Sequence, residues 1–190
     1  MNIGLFFGSF NPIHIGHIAI ASYMAQFTEL KQVWFVVSPQ SPFKQNITLL
    51  QDYKRLDLVH TAIEGYDYLR ACDIEFHLPK PSYTIHTLEH LKEKFPNHIF
   101  ALIMGADNLQ TIHKWKNYKI ILSNHKVYVY PRIGFTPENS LSENIIITNS
   151  PQIEISASFI RDGIKAGKNM KAFLPEKVWE SIDKSNIYKI

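Results

Sequence analysis

Three clusters of residues in this chain have the types and spacing to do chemistry. The first is Gly8-Ser9-Phe10-Asn11-Pro12-Ile13-His14-Ile15-Gly16-His17. It follows an apolar run, Ile3 to Phe7, that reads as a buried strand. It precedes Ile18 to Ala25, which reads as a helix packed on a sheet. Gly8 lets the backbone approach a ligand because it has no Cβ, and Pro12 stiffens the turn by fixing φ. His14 and His17 are three apart, so a helix starting near His14 projects both rings from one face of its first turn. The free N–H groups and dipole of that turn favour an anion. Two imidazoles beside such a helix start point to the phosphates of a nucleotide. A Gly-Pro turn is also ordinary punctuation, and a lone His is commonly structural. Gly8, Pro12, His14, Gly16 and His17 together at one strand-to-helix turn ask for more than that.

The second cluster is Ile155-Ser156-Ala157-Ser158-Phe159-Ile160-Arg161. Ser156 has the side chain of an N-cap, and Ile155 and Ile160 stand at the spacing of a hydrophobic staple. Ser158 and the first-turn N–H groups suit a phosphate, with Arg161 as a fixed positive fork. Alone, this is a capped helix with a solvated Arg; beside the first cluster it reads as a triphosphate clamp. The third cluster is Met104-Gly105-Ala106-Asp107-Asn108. Asp107 could accept bonds from ribose hydroxyls or cap a short helix. Trp115, flanked by Lys114 and Lys116, is either a core anchor or a face on which a ring stacks. Lys44, in a loop with Pro39 and Pro42, is either a solvated charge or a phosphate ligand.

The elements that must position these residues follow from patterning. Gln32 to Val37, Tyr68 to Cys72, Ile99 to Met104, Lys126 to Tyr130 and Ile145 to Thr148 read as further strands, with Ile74 to Leu78 extending an edge. Leu50 to Ile63 carries apolar residues at 50, 53, 56, 59 and 63, a helical stripe. Thr84 caps a helix with Ile85, Leu88, Leu91 and Phe95 on one face. A short helix follows Gly105, residues 131–142 read as a loop, and two last helices begin near Ser156 and Pro175. Strands alternating with helices predict an α/β fold: a doubly wound parallel sheet with helices on both faces. In such a sheet the ligand lies beyond the C-terminal strand ends, where all the clusters fall.

The bulk numbers narrow the class. At 190 residues the chain reads as one domain, 1–190, with room for a core. A net charge of +3 suits anionic small molecules without demanding nucleic acid. Cys72 is the single cysteine, which excludes an intramolecular disulfide framework. No apolar run is long enough to span a membrane, and the N-terminal run is not a signal peptide, so a reducing cytoplasm is the expected location.

On these residues the chain resembles the nucleotidylyltransferase superfamily, with its Rossmann-like HIGH-type fold. His14-Ile15-Gly16-His17 also resembles the HIGH element of class I aminoacyl-tRNA synthetases, but the chain is too short for a synthetase's anticodon domain. The closer resemblance is to the bacterial nicotinate mononucleotide adenylyltransferases and covers nearly the whole chain. The family's G-G-x-F-[DN]-P-x-H-x-G-H turn resembles Phe7 to His17. Its P-x-x-x-P-x-K loop resembles Pro39 to Lys44, and its P-S-Y-T element Pro81 to Thr84. Its G-x-D followed by Trp resembles Gly105, Asp107 and Trp115. Its I-S-S-T-x-I-R element resembles Ile155 to Arg161, and its L-P-x-x-V Leu174 to Val178. Phe7 departs from the usual glycine, Ala157 and Ser158 from Ser and Thr, and His86 from a frequent Asp.

The resemblance implies an enzyme of NAD biosynthesis that transfers adenylyl from ATP to nicotinate mononucleotide, giving deamido-NAD and pyrophosphate. It assigns His14, His17, Lys44 and Arg161 to catalysis. Gly8, Ser9, Phe10, Gly16, Gly105, Asp107, Ser156 and Ser158 would bind ATP. Thr84, Trp115, Lys116 and Arg132 would bind nicotinate mononucleotide, with backbone N–H groups near Thr84 and Lys116 taking the ring carboxylate. Mg²⁺ would ride on the ATP phosphates, with no protein metal site, since no carboxylate cluster is visible to cage it. The implied partners are these small molecules, with no nucleic acid and no membrane; a homo-oligomer is left open. Two alternatives stand beside this: an adenylyltransferase for nicotinamide mononucleotide, phosphopantetheine or FMN, and a non-catalytic nucleotide- or RNA-binding module. Against RNA, the lysines are scattered rather than gathered in a stripe.

Overall fold

Six parallel strands frame the computed structural model, which describes residues 1–39, 49–136 and 141–189. They are β1 Asn2–Gly8, β2 Gln32–Val37, β3 Leu69–Cys72, β4 Ile99–Gly105, β5 Val127–Tyr130 and β6 Ile145–Ile147. Their order across the sheet is β3-β2-β1-β4-β5-β6, all neighbours parallel. The chain winds outward from β1 to β3, crosses back, and winds outward again from β4 to β6. The crevice between the C-terminal ends of β1 and β4 is where the order reverses, the place where doubly wound sheets hold ligands.

The inner strands β1, β2, β4 and β5 are apolar on both sides because helices cover both faces. Phe6, Val33, Phe35, Val37, Ile103 and Tyr128 point into one layer, built by α1 Ile15–Phe27, α2 Asp52–Ala62, α6 Ala157–Lys165 and α7 Glu176–Ser185. Leu5, Trp34, Val36, Leu102, Met104 and Val129 point into the other, built by α3 Thr84–Lys94, α4 Ala106–Gln110 and α5 Tyr118–Asn124. A fully buried side chain of this size contributes roughly 1.5–3 kcal/mol, so Leu91→Ala on α3 would cost about 2–5 kcal/mol through the cavity it leaves. No helix among the described residues is long and apolar enough to cross a membrane.

Four local expectations are corrected. Ile74 to Leu78 is not an edge strand; Ile74–His77 is a 3₁₀ turn. Ile74 and Glu75 are both buried, and a tight turn lets Ile74 enter the core while Glu75 turns toward hydroxyls. Thr84 is the first helical residue of α3 rather than its cap; Tyr83 holds that position without a side-chain bond. On α2 the expected stripe fails at Tyr53, which is 64 % exposed, while Arg55 is fully buried. Arg55 is tolerated there because each nitrogen of its guanidinium has a partner: it donates to the carbonyls of Ser9, Ser38 and Leu50 and to the Asp52 carboxylate. Helix α5 has no counterpart in the sequence reading. It starts at Asn117, held in the left-handed region at φ 54°, where Asn is among the residues least penalised.

Candidate active site

The turn after β1 is built from its ring contacts outward. A Cβ on Gly8 would press into the Phe10 ring at 2.8 Å, so glycine is required there by packing as well as by any ligand. Phe10 itself takes φ 44° and is 2 % exposed. Its ring lies edge-on to His17, with centroids 5.1 Å apart; it is a wall behind the histidine rather than site surface. The Asn11–Pro12 peptide is cis. His14 is the N-cap of α1, and the two imidazoles stack with centroids 3.6 Å apart. His17 Nδ1 accepts the His14 backbone N–H at 3.2 Å. That bond leaves the proton of a neutral His17 on Nε2, a donor. Burial first, and the Arg132 charge second, push His14 down to about 4. At neutral pH it is uncharged, and its Nδ1 is buried with no partner among the described residues. A Cβ on Gly16 would come within 3.1 Å of that nitrogen.

Arg161 reaches this turn from α6. Ser156 caps that helix by accepting the Phe159 N–H at 3.1 Å, and Ile160 is fully buried behind it. The guanidinium donates to the Asn11 carbonyl at 2.7 Å, across 150 residues of sequence, and to the Ser158 hydroxyl at 3.3 Å. Asn11 is in turn fixed through Oδ1, which accepts the Tyr188 hydroxyl at 2.6 Å and the Leu50 N–H at 3.2 Å. The fork is therefore pre-positioned beside the helix start that carries both histidines. Lys44 falls outside the described residues.

Asp107 sits in the first turn of α4. Its side chain does not cap that helix, whose N-cap is Gly105. A Cβ on Gly105 would collide with the Asp107 carboxylate, so the glycine makes room for it. Arg132 Nε lies 3.5 Å from Asp107 Oδ1. The two line a hollow of about 230 Å³ with Phe135, Ile153 and Glu154. Arg132 is thus on the Asp107 side of the crevice and is not among the residues lining the pocket with Trp115.

That pocket, about 410 Å³, opens between the ends of β1, β2 and β4. Gly8, Ser9, Thr84, Trp115 and Lys116 all line it, so the expected acceptor residues other than Arg132 come together there. The Lys116 ammonium lies 4.8 Å over the Tyr83 ring. Phe7, the departure in the first motif, also lines this pocket, which explains how a bulky residue is accommodated at that position. Three residues that support the site escaped the sequence reading. Arg55 ties the ends of β1 and β2 through Ser9 and Ser38. Glu75, 2 % exposed in the pocket wall, accepts the hydroxyls of Ser82 and Thr87 at 2.9 Å each. Burial pushes its carboxyl above the usual range against the pull of these hydroxyls and that of Ser38. Tyr188 holds Asn11. The signals were faint: a charged residue inside a helical stripe for Arg55, and none for the others.

A Rossmann-ordered sheet with paired imidazoles at its switch point and a mononucleotide-sized pocket beside them defines a nucleotidyltransferase class. The cytidylyltransferase-like family matches residues 5–163. A probable nicotinate-nucleotide adenylyltransferase of Flavobacterium johnsoniae is 56 % identical over 192 residues, covering 100 % of both chains. One of Bacteroides fragilis is 48 % identical over 94 % of this chain and 90 % of its own. Among solved structures, the Plasmodium falciparum nicotinic acid mononucleotide adenylyltransferase complexed with NaAD superposes with a TM-score of 0.84. It covers 99 % of this chain and 97 % of its own at 21 % identity, a likeness of fold. The chain belongs to the nicotinate-nucleotide adenylyltransferase family within the cytidylyltransferase-like proteins.

Proposed function

We propose that this chain transfers the adenylyl group of ATP to nicotinate mononucleotide, releasing pyrophosphate and forming deamido-NAD for NAD biosynthesis. One observation carries the reading. The stacked His14 and His17 at the start of α1 and the Arg161 fork, tied to Asn11, belong to the same turn after β1 whose Gly8 and Ser9 line the Trp115 pocket. In the reaction a 5′-phosphate oxygen of the acceptor forms a bond to the α-phosphorus of ATP. The bond from that phosphorus to the oxygen bridging to the β-phosphate breaks, and pyrophosphate leaves with the electron pair. The phosphate is already anionic at neutral pH, so the protein need not activate a nucleophile. Its work is alignment and stabilisation of charge developing on the α- and β-phosphate oxygens.

His17 donates through Nε2, and the amide groups opening α1 add their dipole. Neutral His14 serves as a hydrogen-bonding ring rather than a charge. Arg161 and Ser158 hold the outer phosphates, joined by Lys44. Ser9, Gly8 and Gly16 give the phosphates close access to the turn, and Ser156 holds α6 in place. Asp107 accepts from the ATP ribose, with Arg132 beside it neutralising the carboxylate. Mg²⁺ would be carried by the phosphate oxygens, since the described residues hold no cluster of carboxylates, histidines and cysteines to cage it. Trp115 stacks on the acceptor ring, and N–H groups near Thr84 and Lys116 take its carboxylate. The cytoplasm, where ATP and free mononucleotides meet, is the matching location.

Pyrophosphate release measured with nicotinate mononucleotide, nicotinamide mononucleotide, phosphopantetheine and FMN tests the reading. An acceptor-only carboxylate suits a pocket of donors, whereas an amide leaves one donor unpaired. That mismatch is worth roughly 1–3 kcal/mol, so kcat/KM should favour the nicotinate by about tenfold to a hundredfold. Equal values would remove the carboxylate argument, and ATP binding without pyrophosphate release would remove the reaction.

A further inference from the structure

Glu75 is a carboxylate taken out of water with no cation as its partner among the described residues. Its contacts are hydroxyls: Ser82 on Oε2 and Thr87 on Oε1, each at 2.9 Å, with Ser38 as a third. Burying a carboxylate on neutral donors alone costs more than burying an amide or an apolar residue of the same size. Simple space-filling does not call for one.

What the three hydroxyls have in common is their position. Ser38 follows β2, where the chain leaves the sheet toward the pocket. Ser82 and Thr87 flank Tyr83 and Thr84, the stretch of pocket wall that opens α3. The Tyr83 carbonyl takes the N–H groups of His86 and Thr87 at 3.0 and 3.2 Å. The N–H groups of Thr84 and Ile85 precede those bonds and belong to the orphan donors of a helix start. One acceptor-only group thus spans both sides of these donors and draws both flanking hydroxyl protons onto itself.

We propose that Glu75 is a positioning residue for the acceptor's carboxylate. By clamping Ser82 and Thr87 it fixes the start of α3, so that the backbone donors there face the ring carboxylate. It acts on acceptor binding and leaves the phosphate end alone. The inference rests on the acceptor proposed above, and the test separates the two.

The measurement is calorimetric titration of the full chain with nicotinate mononucleotide in the absence of ATP, followed by steady-state pyrophosphate release. Glu75→Gln keeps shape and one acceptor oxygen. Thr87→Val removes a clamped hydroxyl, and Thr87→Ser restores it. Losing a hydrogen bond to a charged group in such a clamp should weaken acceptor Kd and KM about tenfold in Glu75→Gln and Thr87→Val. The KM for ATP should stay within about twofold, and Thr87→Ser should return near the wild type. Unchanged acceptor Kd in both weakening variants would overturn the clamp. So would parallel rises in both KM values tracking a loss of Tm, or a wild type that does not bind the mononucleotide. Binding that follows the clamp without wild-type turnover would overturn the proposed reaction and keep Glu75's role.

Discussion

At the phosphate end of the crevice, Arg161 and Tyr188 reach Asn11 from 150 and 177 residues away. At the acceptor end, Glu75 holds Ser82 and Thr87 from 7 and 12 residues away. The first end is closed by the whole fold, the second by one local excursion between β3 and α3. They differ in chemistry as well. Phosphates call for charged and imidazole donors at fixed places, so side-chain identity carries the function. A ring and its carboxylate call for a flat face and backbone N–H groups, so the side chains there mostly hold the backbone. The two ends should therefore fail differently: one in turnover, the other in acceptor affinity.

The largest separation should come from the phosphate end. His17→Ala and Arg161→Ala should each lower kcat on the order of a hundredfold or more, the usual loss for one preorganised donor, while calorimetric Kd for nicotinate mononucleotide stays within about twofold. If that Kd moves as far as kcat, the two ends are one unit and the comparison breaks.

Acid stability should set the ends in opposite directions. His14 is held down to about 4, so between there and 6.5 the unfolded chain takes a proton that the folded chain refuses. Stability from this site is full above pH 6.5 and falls as pH drops toward 4, by about 3 kcal/mol in all. Glu75 is shifted up, so as pH rises from about 4.5 through its raised value, the folded chain keeps a proton that the unfolded chain has lost, and stability falls. Urea unfolding across pH 4 to 7 should show a flatter acid limb in His14→Gln and a steeper one in Glu75→Gln. The same slope in all three proteins would refute both assignments.

A smaller effect sharpens the acceptor end from within. Trp115→Ala should raise KM for nicotinate and nicotinamide mononucleotides together, by about tenfold for a lost stacking face, and keep their ratio. A collapse of the ratio would make Trp115 a selector rather than a platform. Smallest is Tyr188→Phe, which removes one bond to Asn11 and should cost about 1 kcal/mol of stability with kcat lowered only a few fold, read from thermal melts and initial rates.

The fold was largely legible because the inner strands are near-continuous apolar runs and each helix but one shows its period or its cap. The proposed phosphate end was legible because His14, His17 and Arg161 stand out by type and spacing, and the fold brings all three to the turn at Asn11. Ser156 could be read as a cap because its job is local. Arg55 could not, because a buried guanidinium is identified by carbonyls that accept from it in other segments, and no spacing along α2 announces them. Glu75 was hidden twice, in a stretch that alternates like an edge strand and by partners whose hydroxyls look solvated in the sequence. Arg132 was expected beside Trp115 and stands instead beside Asp107, because β5 delivers it to the far side of Gly105.

The bond from Tyr188 to Asn11 also bears on how the enzyme is made. Both histidines and the whole of the first motif are made before every strand but β1, and the sheet is complete once β6 has followed. A nascent chain paused there still lacks the guanidinium and the phenol that hold the turn at Asn11. Domains fold from the N-terminus as they are synthesised, yet this turn is finished by residues made after the last strand of the sheet. The proposed grip on ATP phosphates is therefore completed only after the sheet, and a chain made through β6 has the motif without it.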